Sequence, residues 1–191
     1  MRLTVFNTPF LTSGLRIISS IGLRLIGWRA EGRELPHSKF VLIAAPHTSN
    51  WDFPLMLMVV LKLRLQIFWM GKHTLFPFGF AWLMKYLGGI PINRKKSQNV
   101  VSETIQLFEH HNKLIVLIPP EGTRSKVKNW KSGFYRIARG ANVPVLLGQV
   151  DGKRKIAKLD EFFFPSDDLE ADMKKIRIFY ADTKGLITAN S

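Results

Sequence analysis

A histidine and an aspartate five positions apart are the residues of this sequence best suited to chemistry. His47 and Asp52 bound the segment His-Thr-Ser-Asn-Trp-Asp. An imidazole titrates near neutral pH and can remove a proton from a weak acid such as an alcohol. A carboxylate that accepts the second ring N–H fixes the tautomer and stabilises the imidazolium. The pair therefore predicts a general base, His47, oriented by Asp52 across a turn.

Ser49 permits a second interpretation of the same segment, because a serine near a histidine can act as a nucleophile. No Gly-x-Ser-x-Gly sequence surrounds it, and a helix is predicted directly after it. Serine and asparagine are common helix caps. We therefore predict that Ser49 or Asn50 caps this helix and that the substrate hydroxyl attacks directly.

A second polar cluster suits a phosphorylated polyol. Glu121, Gly122, Thr123 and Arg124 follow one another at the end of a predicted strand. A guanidinium can donate two hydrogen bonds to phosphate oxygens, and glycine lets the backbone approach a ligand closely. Glu121 could accept from a hydroxyl or fix an arginine. Arg94 ends another predicted strand and could bring a second guanidinium to the same phosphate.

The elements that must position these residues alternate between strand and helix. The apolar runs predict strands at Phe40–Ala45, 65–70, Ile90–Asn93, Lys113–Ile118, Val143–Val150, 153–159 and 175–181. Helical spacing predicts helices near 51–63 and over Leu75–Leu87, Gln98–His111 and Ser132–Ala141. This order predicts a single α/β layered domain with a largely parallel central sheet flanked by helices and preceded by an N-terminal amphipathic helix.

The N-terminal stretch Phe10–Trp28 predicts that amphipathic helix. Its apolar residues share a broad arc opposite Arg16 and Arg24, and Leu23 breaks the division. Such an arc suits either packing on the core or lying in the plane of a membrane, and the pattern leaves both open. We therefore divide the chain into residues 1–30, an amphipathic helix and candidate membrane-surface anchor, and a domain at 31–191.

Charge and composition narrow the function classes. The net charge is +14, and residues 1–150 carry all of this excess, with 20 Lys and Arg against 6 Asp and Glu. Such a surface attracts anionic lipid, nucleic acid or a phosphorylated carrier alike. Cysteine is absent, and none of the 5 histidines has a recognised metal-ligand spacing. We therefore predict no metal site.

The motifs together resemble a known family. His47–Asp52 is similar to the His-x4-Asp block of the glycerolipid acyltransferases typified by 1-acyl-glycerol-3-phosphate acyltransferase. Gly88–Arg94, Pro120–Ser125 and Val143–Val145 resemble the next three blocks in order, and Lys72 and Lys131 extend the match. Pro46, Ile92-Asn93 and Pro119 depart from the usual pattern, which leaves the acceptor open.

This resemblance implies transfer of a fatty acyl group from acyl-CoA or acyl carrier protein to a hydroxyl of a glycerophospholipid-type acceptor. His47 and Asp52 would be catalytic, and Arg94 and Glu121–Arg124 would bind the acceptor's phosphate region. Acyl-CoA or acyl carrier protein would be a co-substrate, with no permanently bound cofactor. We expect a peripheral protein on an anionic membrane, at its cytoplasmic face.

Two alternatives remain. A hydrolase of phospholipids or thioesters could use the same pair with water, because exclusion of water is what separates transfer from hydrolysis. A non-catalytic basic domain could bind nucleic acid, but no helix-turn-helix, zinc-finger or RNA-binding motif is present. We therefore expect no nucleic-acid partner.

Overall fold

The architecture is a central sheet between two layers of helices. The structure is a computed structural model that describes residues 2–32, 34–93 and 97–190. Among these residues the strands are β1 (Arg29–Glu31), β2 (Lys39–Ala45), β3 (Ile67–Lys72), β4 (Gly89–Ile92), β5 (Leu114–Leu117), β6 (Val145–Asp151) and β7 (Ile156–Phe163). The helices are α1 (Leu11–Leu25), α2 (Asp52–Lys62), α3 (Ala81–Tyr86), α4 (Ser97–His110), α5 (Gly133–Gly140) and α6 (Leu169–Phe179).

The strands lie in the order β1-β7-β6-β2-β5-β3-β4. Strands β6, β2, β5, β3 and β4 run parallel to one another, whereas β7 is antiparallel to β6 and parallel to β1. The carboxyl ends of the parallel strands therefore meet at one edge of the sheet, where ligand sites of α/β proteins form. The predicted α/β fold with a largely parallel sheet and an N-terminal helix is confirmed.

Alternation along β2 separates two cores. Val41 and Ile43 face a cluster that includes residues of α4, α5 and α6, and Phe40 and Leu42 face a cluster that includes residues of α2. A third cluster joins Leu23 of α1 to α2. Helices α1 and α2 thus cover one face of the sheet, and α4, α5 and α6 cover the other.

Helix α1 packs through a narrow stripe that does not coincide with its apolar arc. Leu23 is fully buried against Leu55 and Val59 of α2, and a side chain at Gly22 would meet Met58. Ile18 and Leu25 of the predicted arc are 65% and 81% exposed. Leu23, which lies outside the apolar arc, is therefore the residue that packs against α2, and most of the arc faces outward. No helix in the described ranges is long and apolar enough to cross a membrane.

Two predicted elements were wrong. Residues 75–87 do not form one helix, because Gly79 adopts φ +91° and interrupts the stretch, so α3 begins only at Ala81. The predicted strand at 175–181 belongs largely to helix α6. Asp168 caps α6 by accepting from Ala171, and Met173 and Ile176 are buried at helical spacing. The alternating apolar residues there belong to a helix that buries one face.

Candidate functional site

The segment with the predicted base forms the β2–α2 loop (residues 46–51). It follows the carboxyl end of β2, and Asp52 is the first residue of α2. Oδ2 of Asp52 accepts hydrogen bonds from the backbone N–H groups of Thr48 (2.7 Å) and Ser49 (2.8 Å). The same oxygen lies 2.8 Å from Nδ1 of His47. The loop therefore curls around one carboxylate oxygen, which draws the imidazole against the start of the helix.

This contact assigns the two ring nitrogens of His47. Nδ1 donates to the carboxylate, so Nε2 is the nitrogen that can take a proton. The side chain of His47 is 25% exposed, whereas that of Asp52 is 10% exposed. A partly exposed imidazole held by a buried carboxylate is the arrangement that general-base chemistry requires. The catalytic roles of His47 and Asp52 remain predictions.

Glu121 lies behind the loop. Its Oε1 accepts the backbone N–H of His47 at 3.0 Å, and the residue is 7% exposed. Burial raises the pKa of the Glu121 carboxyl above its ordinary value, and the hydrogen bond from His47 opposes this shift. The carboxylate thus supports the backbone of the predicted base from within the protein. Its assignment to substrate binding remains a prediction.

Gly122, Thr123 and Arg124 lie at the surface of the same site. Gly122 has φ +65°, and a side chain there would meet the aliphatic carbons of Lys131. Arg124 donates from its guanidinium to Oδ1 of Asn50, which places this cation beside the β2–α2 loop. Arg94 lies outside the described residues, so the structure places four of the predicted substrate-binding residues near His47 and leaves the fifth undescribed.

A cleft of about 1210 Å³ connects these groups. Its lining includes His47, Asp52, Gly122, Thr123 and Arg124. One part runs between the sheet and α2 and is apolar, lined by Leu42, Ala44, Met56, Val59, Val60 and Gly148. The other part is lined by the loop after β5 and by α5, and it contains Thr123, Arg124, Lys131 and Arg136. His47 therefore lines one cleft together with this apolar channel and with a basic rim formed by Arg124, Lys131 and Arg136.

The cations of this rim were largely missed from the sequence. Lys72, Lys131 and Arg136 line the cleft, and Asp52 is the only acidic residue among the described residues of its lining. In the sequence, Lys72 and Lys131 only extend the family resemblance, which implies no role for them. Their place in one cleft with His47 depends on which strand ends meet at this edge of the sheet, and local spacing does not show this. The family pattern was the one signal available for them.

Ser49 and Asn50 do not cap α2. The N-cap residue is Trp51, which makes no side-chain cap bond, and the Ser49 hydroxyl accepts from the Trp51 N–H at 3.2 Å. The Asp52 carboxylate instead turns back and binds the amides of Thr48 and Ser49. The prediction of a serine or asparagine cap is therefore wrong, because α2 begins at Asp52 and the Ser49 hydroxyl binds the Trp51 N–H before the helix. Within the described ranges, no group of three or more His, Asp or Glu side chains could hold a metal ion.

Comparison with known proteins decides the family. The family model described as Acyltransferase matches residues 28–146, which is more than half of the chain. This chain belongs to the acyltransferase family. The matched residues include both the β2–α2 loop and the loop after β5 that carries Arg124. No curated protein matches the chain.

A solved structure supports the architecture. The 1-acyl-sn-glycerophosphate (LPA) acyltransferase PlsC from Thermotoga maritima is similar with a TM-score of 0.61 and 21% sequence identity. The similarity covers 88% of this chain and 76% of that chain. At this identity the likeness establishes the fold. The chain is therefore an acyltransferase-family enzyme with the fold of a glycerolipid acyltransferase.

Proposed function

We propose that this enzyme transfers a fatty acyl group from acyl-CoA or acyl carrier protein to a hydroxyl of a glycerophospholipid-type acceptor such as 1-acyl-glycerol-3-phosphate. The observation that carries the proposal is that His47 lines one cleft together with an apolar channel and a basic rim. A fatty acyl chain matches the channel, and a phosphorylated headgroup or carrier matches the rim. Both substrates then meet at the imidazole.

In the proposed reaction, Nε2 of His47 removes the proton from the acceptor hydroxyl as its oxygen attacks the thioester carbonyl. The carbon–sulfur bond breaks, and the thiolate leaves with the proton returned by the imidazolium. Asp52 orients the ring and stabilises its charged form through the 2.8 Å contact at Nδ1. The products are an ester and a free thiol, so no oxidant or reductant is needed.

The basic rim supports an anionic substrate. Arg124 is held beside the loop by Asn50, and Lys131 lies against Gly122. A guanidinium binds phosphate oxygens through directed hydrogen bonds, and an ammonium adds a point charge. We assign Arg124, with Gly122 and Thr123, to the acceptor's phosphate region, and Arg94 remains part of this proposal. For Glu121, the hydrogen bond to His47 favours support of the base over direct contact with substrate.

We further propose peripheral binding to an anionic membrane through residues 1–30, with residues 31–191 as the catalytic domain. The support is the outward apolar arc of α1, which leaves Ile17, Ile18, Ile21 and Leu25 exposed. Exposed aromatic residues Phe78, Phe80 and Trp82 lie before and within α3. The segment before α1 contacts the end of α3 through Thr8 and Tyr86, so these two apolar regions are neighbours. Acyl thioesters occur in the cytoplasm, which favours the cytoplasmic face.

The test is a panel of acceptors with one labelled acyl thioester and product identification by mass spectrometry. The panel contains 1-acyl-glycerol-3-phosphate, glycerol 3-phosphate, neutral lysophospholipids and a reaction without acceptor. We expect a new ester with a phosphorylated acceptor. Release of free fatty acid at the same rate with and without every acceptor would instead identify a hydrolase.

A further inference from the structure

Thr48, the residue after the proposed base, uses every polar group it has. Its backbone N–H donates to Oδ2 of Asp52 at 2.7 Å. Its hydroxyl accepts the backbone N–H of Ile187 at 3.0 Å, and its carbonyl accepts from the side-chain amide of Asn190 at 3.3 Å. These two partners lie 139 and 142 positions later in the chain. Thr48 is therefore the point where a distant segment meets the carboxylate that orients His47.

The distant segment, which we term the C-terminal segment (residues 183–190), is itself anchored to the fold. The carbonyl of Lys184 accepts from the N–H of Gly152, which directly follows β6, at 2.6 Å. Leu186 packs against the cluster that contains Leu55 and Val59 of α2. The C-terminal segment is therefore held by both the sheet and α2, and it contacts the β2–α2 loop at Thr48.

The contact at Thr48 is tight. A side chain added at Gly185 would lie 2.5 Å from both Cγ2 and Oγ1 of Thr48, and one added at Gly152 would lie 2.5 Å from the carbonyl oxygen of Gly185. The backbone of Gly185 thus approaches both Thr48 and Gly152 more closely than a side chain at either glycine would permit. Neither glycine has a positive φ, so the backbone conformation at Gly185 would accept an alanine. The obstacle to Gly185→Ala is the steric clash of its Cβ with Thr48.

We propose that the C-terminal segment positions the proposed base, with Thr48 as the positioning residue. Asp52 is fixed by α2, but the loop that carries His47 meets Asp52 through the amides of Thr48 and Ser49. The contacts from Ile187 and Asn190 hold Thr48 at its hydroxyl and its carbonyl. Because small displacements of a catalytic group reduce rates strongly, loss of these contacts lowers turnover more than substrate binding. This inference rests on the proposed function of His47.

The experiment compares two substitutions of Thr48. Thr48→Val keeps the shape of the side chain but removes the acceptor of the Ile187 N–H, and Thr48→Ser keeps the acceptor but loses the methyl group. Thr104→Val is the matched control, because Thr104 is a similarly buried threonine whose hydroxyl donates to Val100 within α4 and does not line the cleft. Gly185→Ala tests the same contact from the other side.

We expect Thr48→Val and Gly185→Ala to lower kcat about tenfold, with the KM of each substrate within about twofold of the unchanged protein. Thr48→Ser and Thr104→Val stay within about twofold in kcat. Equal kcat for Thr48→Val and the unchanged protein would overturn the proposal. A loss in Thr48→Ser as large as in Thr48→Val would also overturn it, because the hydroxyl would then not be the cause.

A second readout separates this inference from the proposed function. Amide hydrogen exchange of the peptide over residues 47–55 reports the order of the loop without any substrate. We expect faster exchange there in Thr48→Val than in Thr104→Val. Unchanged exchange in Thr48→Val, in a protein that transfers acyl groups, defeats the positioning role alone. If the unchanged protein transfers no acyl group but the exchange difference is present, the proposed function is wrong. The contact between Thr48 and the C-terminal segment would still order the loop.

Discussion

The two faces of the sheet differ in how completely they are packed. Under α4, α5 and α6, Phe108, Tyr135 and Ile176 are almost fully buried in one continuous cluster. On the α1 and α2 face, part of an open cleft runs between α2 and the sheet, and the same cleft also reaches residues of α4 and α5. The outer arc of α1 also leaves large apolar side chains exposed. The face under α4, α5 and α6 therefore contains the larger continuous buried cluster, and the α1 and α2 face has exposed apolar surface that a membrane would cover.

The largest effect is expected at the base. His47→Ala should lower kcat about 10³-fold to 10⁴-fold, because it removes the proton acceptor without removing a core side chain. The measurement is steady-state acyl transfer, with circular dichroism to check folding. His111→Ala is the control, because that imidazole bonds to the Leu107 carbonyl at the end of α4. Normal turnover in His47→Ala would reject the mechanism.

The basic rim predicts the next largest effect. Arg124→Ala should lower kcat/KM for a phosphorylated acceptor about 10-fold to 100-fold, because charge-assisted hydrogen bonds are lost. Arg177→Ala is a matched control, since Arg177 also donates to an asparagine side chain but does not line the cleft. The KM of the acyl donor should change much less in Arg124→Ala. Equal losses for acceptor and donor would contradict the phosphate assignment.

A pair of alanine substitutions tests the difference in packing directly. Ala138→Leu adds volume to the closed face, where Ala138 is fully buried, and should reduce the free energy of unfolding by about 1–3 kcal/mol. Ala44→Leu adds the same volume to the apolar channel and should cost less stability. It should instead raise the KM of a long-chain thioester about tenfold relative to a short-chain one.

Chemical denaturation measures the free energy of unfolding of Ala138→Leu and Ala44→Leu. Steady-state kinetics with short-chain and long-chain thioesters measures the change in KM. Equal destabilisation by both substitutions would mean that the channel is packed like the closed face.

The apolar arc of α1 should govern vesicle binding. Ile18→Asp with Leu25→Asp should lower partitioning onto anionic vesicles at least about tenfold, because two apolar side chains are replaced by repelled charges. Ile178→Asp with Phe164→Asp is the control, since these residues are 64% and 63% exposed on other elements. Sedimentation with vesicles checks the prediction. Unchanged sedimentation of the α1 variant would remove the anchoring role.

The smallest effect concerns Glu121. Burial raises its pKa in the folded protein above the ordinary value of 4.5, so between these two pKa values the folded state binds more protons than the unfolded state. Folding stability from this group is therefore lost as pH rises from 4.5 through the raised folded value. Glu121→Gln keeps an oxygen acceptor for the His47 N–H but cannot ionise.

The variant should gain stability relative to the unchanged protein as pH rises through this window, as measured by denaturation at several pH values. A stability difference independent of pH would contradict the assignment of a buried, ionisable carboxyl.

The sequence predicted the fold well where local patterns carry the information. The apolar run of β2, followed by polar residues and a helix, placed His47 and Asp52 at a strand end, and the structure has this strand, loop and helix. The prediction was wrong at 175–181, where a short apolar pattern fits strand and helix equally. The burial of Glu121 and the contacts of Thr48 with the C-terminal segment could not be predicted, because they join residues far apart in the chain.

The central claim is that His47 delivers an acyl group to a lipid hydroxyl and not to water. The most direct measurement is the partition of one labelled acyl thioester between ester product and free fatty acid as the concentration of 1-acyl-glycerol-3-phosphate is raised. The account predicts that the label moves into diacyl product and that free acid falls toward the background of His47→Ala. Free acid that stays constant, with no ester formed at any acceptor concentration, would contradict it.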